Sequence, residues 1–207
     1  MPNDQTKQYS TNTQINHDFS HDKSHEYYTL AMNDEILSED EILTHIGILL
    51  MNVQQFEFLL SQAIKQVFAE KEELTKEKIL SEDKRTLGTL LKELRKRTEI
   101  ESDAHSLLSQ VLKERNLFVH NLIHQEWFDT ATKEGRGKVL EFLMPFTYRL
   151  NQSIRLFIAI HMQHGDEIGF ESEDTKRIKK ERDGELKQYL PHTHKIRKKA
   201  NKSGDGQ

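Results

Sequence analysis

The chain contains no cysteine, which removes disulfides, thiol nucleophiles and thiolate metal sites together. Proline and glycine are scarce, 3 and 9 residues in 207, so few turns are encoded. Alternation of β-branched or aromatic residues is hard to find, and both shortages favour helices over sheets. No apolar run reaches the length expected of a bilayer-crossing helix, and the opening MPNDQTKQYS has neither a basic start nor an apolar stretch. A cytoplasmic protein without membrane attachment is expected. The 35% hydrophobic content supplies apolar material for one modest core and little more.

What is present divides into tails and a core. Residues 1–33 are rich in Asn, Gln, Thr, Ser and His and cannot bury enough apolar area to offset ordering, so they are expected to be disordered or loosely attached. Residues 34–170 carry the helical patterns, and residues 171–207 read as a basic helix and tail. From Lys176 to Lys202 there are eleven Lys and Arg against Glu181, Asp183 and Glu185, about +8, which leaves the rest about −12 of a net −4. Within that basic stretch, Lys179, Lys180, Arg182, Lys195, Arg197, Lys198 and Lys199 are candidates for holding a polyanion.

Four helices follow from the patterns. Ser38 and Glu41 form a capping box ahead of Ile42, Ile46, Leu49, Val53, Phe56, Leu60, Ala63 and Val67, a seam running to about Glu70. Ser81 is the expected cap of a second, shorter helix with Leu87, Leu90, Leu91 and Leu94 on one stripe, and Gly88 within it suggests a close helix approach. The third runs from about Ser102 to Phe128. After TATKEGRGK, whose Gly135 and Gly137 read as a turn, the fourth spans about Lys138 to His164 with Leu140, Leu143, Phe146, Leu150, Ile154, Phe157 and Ile158 inward, and Pro145 should break or bend it. A charged fifth helix from Glu173 to Leu190 would stop at Pro191. Stripes of this kind joined by short links predict an all-α, antiparallel four- to five-helix bundle.

The third helix carries the chemistry. In KERNLFVHNL, residues 113–122, Arg115 falls inside the apolar arc of Leu108, Leu112, Val119, Leu122 and Ile123, whereas Asn116, His120 and Trp127 fall along its border. A desolvated guanidinium needs a partner, and Glu126, on the same arc, is the candidate. Arg115 and His120 are separated by roughly 140° about the axis and about 7.5 Å along it, which places them out of each other's reach on one straight helix. The spacing alone is not selective, since Arg155 and His161 repeat it in RLFIAIH.

ERNLFVH resembles the Arg-polar-xxx-His signature of HEPN domains, all-α bundles of toxin–antitoxin pairs, phage-defence proteins and the RNA-cutting halves of type VI CRISPR effectors. Asn116 suits the residue after arginine; Leu156, after the second arginine, does not. The resemblance extends loosely over residues 40–165, and only Arg115, Asn116 and His120 match at motif grade. It implies a metal-independent endoribonuclease in which the ribose 2′-hydroxyl attacks the adjacent phosphate. His120 would transfer the proton, Arg115 would hold the phosphate and Asn116 would orient one of them. It also implies a homodimer with two motifs facing one cleft, the border of Asn116, His120 and Trp127 at the interface, and an antitoxin or defence-system partner. A tyrosine that some HEPN toxins carry two residues after the histidine is Leu122 here, so control by its modification is not expected. His17, His21 and His25 recur every four residues and on a helix would align for Zn²⁺ or Ni²⁺; in so polar a tail no metal or cofactor is assigned. The alternative is a non-catalytic helical bundle that binds RNA or protein.

Overall fold

The computed structural model describes residues 37–69, 86–168, 180 and 187–199. The fold is mostly helical, with about five helices packed together. Helix α1, Glu39–Gln62, starts at Ser38, whose hydroxyl accepts from the Glu41 N–H while the Glu41 carboxylate accepts from the Ser38 N–H at 2.8 Å. This is the expected capping box, and its hydrogen bonds hold the Glu41 carboxyl below the ordinary value. Past Gln62 the helix widens into a π-helical turn, Ala63–Val67. Ile42, Leu49, Val53, Phe56, Leu60 and Ala63 of the seam are buried, with Ile46 and Val67 at its margin.

Contrary to the expectation from the sequence, Glu39–Val67 is long and apolar enough by composition to cross a membrane, with an 18-residue window of mean hydropathy 1.2. Only 22% of that window is buried, because one face alone meets the core.

Helix α2, Leu87–Arg97, is capped by Thr86, whose hydroxyl accepts from the Thr89 N–H at 3.4 Å. The helix therefore begins after Ser81, which lies outside the described residues. Leu87, Leu90, Leu91 and Leu94 are all buried. Gly88 is no tight crossing: a Cβ there would meet Leu112 Cδ1 at 3.9 Å, an ordinary contact. Strand β1, Thr98–Ile100, then pairs antiparallel with β2, Ile196–Lys198, and Ile100 lies opposite Ile196. The helical reading did not anticipate this ribbon. Directly before β2 a 3₁₀ segment, Leu190–Lys195, follows the fully buried Tyr189, and this segment packs on the long helix that ends at Glu167. Most of the expected fifth helix lies outside the described residues.

Helix α3, Ser102–Asn121, ends earlier than expected and gives way to a 3₁₀ turn, Leu122–His124. Its buried face is Ala104, Leu107, Leu108, Val111, Glu114 and Phe118. The stripe is thus rotated from the predicted arc, and Val119 and Ile123 stand exposed. Phe118 sets this rotation by packing on Phe146, ring centroids 5.6 Å apart.

Helix α4, Lys133–Glu167, starts five residues before its predicted position. Gly135 belongs to its first turn, not to a loop, and Gly137 follows inside the helix. A Cβ on Gly135 would stand 2.6 Å from Asp129 Cγ, so only glycine lets the preceding loop fold back over the helix start. Pro145 neither breaks nor ends α4. It forfeits one backbone hydrogen bond, but Leu143, Phe146 and Leu150 around it are all buried, and that packing carries the helix through. The core forms where α1 lies along α4, with α2 and α3 closing the remaining sides.

Candidate active site

Two consecutive residues of α3 face different neighbours. Glu114 is 7% exposed and turns inward to Arg149 of α4. Arg149 Nε donates to Glu114 Oε2 at 3.0 Å and its Nη2 donates to Oε1, forming a bidentate fork, while Gln110 Nε2 donates to the same Oε1 at 3.0 Å. The next residue, Arg115, is turned about 100° round the axis toward α1, where its Nη2 lies 2.7 Å from Glu57 Oε1. This ion pair fastens α3 to α1 as the other fastens it to α4. Glu57, not Glu126, is therefore the partner of Arg115; Glu126 lies beyond the end of α3, exposed.

The three motif residues come together within one chain. Arg115 Nη1 donates to Asn116 Oδ1 at 3.2 Å and stands 3.1 Å from His120 Nε2. The predicted angular separation described helix positions correctly but ignored the reach of an arginine side chain, which closes the gap without a second helix. A guanidinium only donates, so Nε2 of His120 accepts and the ring proton resides on Nδ1. The Arg115 side chain is 13% exposed, whereas Asn116 and His120 are open to solvent. The arrangement places a sheltered cation behind an accessible imidazole. That pairing is suited to holding an anion and moving a proton beside it.

Trp127 does not share this border. It lies in the turn after the 3₁₀ segment and packs on Phe142 of α4, centroids 5.5 Å apart, as a core-edge residue. The second Arg–His match is structural. Arg155 Cζ sits 6.0 Å above the Tyr189 ring centroid, and His161 Nε2 donates to the Leu59 carbonyl at 3.0 Å. Burial pushes the His161 ring below its ordinary value, and the hydrogen bond to Leu59 only partly opposes this.

Among the described residues, the basic side chains do not form one open track. Lys195 is turned inward onto Asp103. Burial pushes the Asp103 carboxyl up, but hydrogen bonds from Lys195 and the Ala104 N–H outweigh it and hold the group below its usual value. Lys198 Nζ donates to the Ala69 carbonyl and Lys199 Nζ to the Arg95 carbonyl at 2.9 Å. Arg197 is exposed, 3.9 Å from Glu101. Lys180 is exposed; Lys179 and Arg182, like His17, His21 and His25, lie outside the described residues.

Comparison with protein families, characterised proteins and solved structures finds no match. Sequence reasoning missed Glu57 and the Glu114–Arg149 pair. A signal for Glu57 was present, since it is the one charged residue between Ile42 and Ile64. Such a residue in so apolar a helix demands a partner.

Proposed function

We propose that this protein is a metal-independent endoribonuclease of the HEPN type, acting in the cytoplasm as a toxin or antiviral defence effector. The observation that carries the reading is the hydrogen-bonded set of Arg115, Asn116 and His120, with the imidazole accessible and the guanidinium sheltered. In the proposed reaction a phosphodiester engages Arg115 and frees the Nε2 lone pair of His120 to take the proton of the ribose 2′-hydroxyl. The 2′-oxygen then bonds to phosphorus as the bond to the 5′-oxygen breaks. The products are a 2′,3′-cyclic phosphate and a 5′-hydroxyl, the latter protonated by an imidazolium. Asn116 holds Nη1 and fixes the fork beside the ring.

A homodimer is part of the proposal. At 100° per residue, Leu43, Leu50, Met51 and Phe58 fall in one arc of about 100° next to Glu57. Met51 is 70% and Phe58 61% exposed. Beyond the other side of the site, Ile123 is 71% exposed. A second copy laid over these apolar strips removes them from water and brings a second His120 to the same groove.

Incubation with RNA in EDTA should release fragments ending in 2′,3′-cyclic phosphate, and His120→Ala and Arg115→Ala should each abolish them. Intact RNA from the wild type, or undiminished cutting by folded His120→Ala, would end the catalytic reading. The Glu57 pair favours a second reading, a non-catalytic bundle that binds RNA or protein, in which Arg115 serves only to tie α3 to α1.

A further inference from the structure

We propose that Glu57 is a displaceable counter-anion of Arg115, which an RNA phosphate must outcompete to enter the site; this rests on the nuclease reading above. The two ion pairs of α3 differ in geometry. Arg149 grips Glu114 through both Nε and Nη2, the two-point geometry that makes arginine–carboxylate pairs strong. Arg115 meets Glu57 through Nη2 alone. The carboxylate oxygen lies 2.7 Å away but off the N–H direction, so the contact is an ion pair without a directed hydrogen bond. Two buried atoms are left over among the described residues: Glu57 Oε1 has no hydrogen-bond partner there, and Arg115 Nε has no acceptor. Buried polar atoms are nearly always satisfied. Finding both orphans in one pair, beside the accessible imidazole, marks a contact set up to be exchanged.

The exchange has a definite geometry. Nη1 is occupied by Asn116 and His120, so the edge formed by Nε and Nη2 is the one free to change partners. That edge is the fork that takes two oxygens of a phosphate at once. An incoming phosphodiester satisfies Nε, which Glu57 does not, and as the fork turns to meet it Nη1 leaves the His120 ring and releases the Nε2 lone pair. Glu57, 25% exposed against 13% for Arg115, has the shorter path to solvent and is the partner that yields. In the resting chain the pair is neutral. Glu57 thus sets how strongly the site attracts an anion, and acts through Arg115 without touching the reacting atoms.

The test is the affinity for a single-stranded RNA oligonucleotide, read by fluorescence anisotropy at fixed moderate salt in a His120→Ala background that prevents cutting. Glu57→Gln, and Glu57→Ser as a second neutral replacement, should tighten binding on the order of tenfold, about 1.4 kcal/mol. Glu57→Asp, which keeps the charge, should bind no tighter than the parent. Adding Arg115→Ala should erase the gain. Equal affinity of the neutral variants and the parent, an equal gain without Arg115, no measurable RNA binding in any of them, or failure of both neutral variants to fold would each overturn the proposal. Tightening in a chain whose wild type cuts no RNA would sink the nuclease and keep the counter-anion; cutting without tightening would do the reverse.

Discussion

Replacing Arg149 by alanine should unfold the protein far more readily than any surface change. The Glu114 side chain is 9% and that of Arg149 13% exposed, so solvent screens the pair weakly. Removal of the cation leaves a carboxylate between α3 and α4 that has lost both arms of its fork and keeps the Gln110 amide. Breaking a buried pair by deleting one member destabilises by about 3–5 kcal/mol. For a chain of this length each kcal/mol moves the midpoint by about 2–4 °C, so Arg149→Ala should lower Tm by about 6–20 °C. Melting followed by circular dichroism measures it. The decisive control is Glu114→Leu combined with Arg149→Met, which removes both charges and fills similar volume, and which should regain most of the loss. A drop of less than about 1 kcal/mol for the single variant, or a double variant as unstable as the single one, would refute the reasoning.

Two further outcomes follow from the same geometry. Burial holds His161, and likewise His45, below the ordinary histidine value, whereas both return to about 6.5 on unfolding. As pH falls through that value the unfolded chain takes up protons that the folded one refuses, so stability should decline from about pH 6.5 downward until the folded rings titrate. Urea midpoints between pH 7.5 and 5.5 should show that slope, and His161→Gln should flatten it; parallel profiles for the two proteins would count against the assignment. If the outer face of α1 is the dimer contact, Met51→Asp should convert a dimer to a monomer in sedimentation equilibrium while the helical circular dichroism signal is kept, since that side chain is exposed in the single chain; an unchanged dimer mass would place the contact elsewhere.

The elements that were legible in the sequence are those whose information is local. Ser38 and Glu41 cap α1 because three residues suffice to define a capping box, and the leucines of α2 declare their face by spacing alone. The cluster of Arg115, Asn116 and His120 was legible as a pattern within six residues. What stayed hidden depends on distant partners. Thr98 pairs with Lys198, a hundred positions later, and three-residue strands carry no periodicity to read. Glu57 and Arg115 meet across two helices. The rotation of α3 depends on the fit of Phe118 against Phe146, and the tolerance of α4 for Pro145 on the core around it, neither of which propensity can report.

The ribbon of Thr98–Ile100 and Ile196–Lys198 has a mechanical meaning. Immediately after it, the Glu101 N–H donates to the Lys195 carbonyl at 2.9 Å, and Glu101 is the residue from which α3 starts. The basic segment is thereby stitched to the base of the helix whose far end holds Arg115 and His120. Whatever grips or pulls that segment pulls on a rod with the candidate chemistry at its tip.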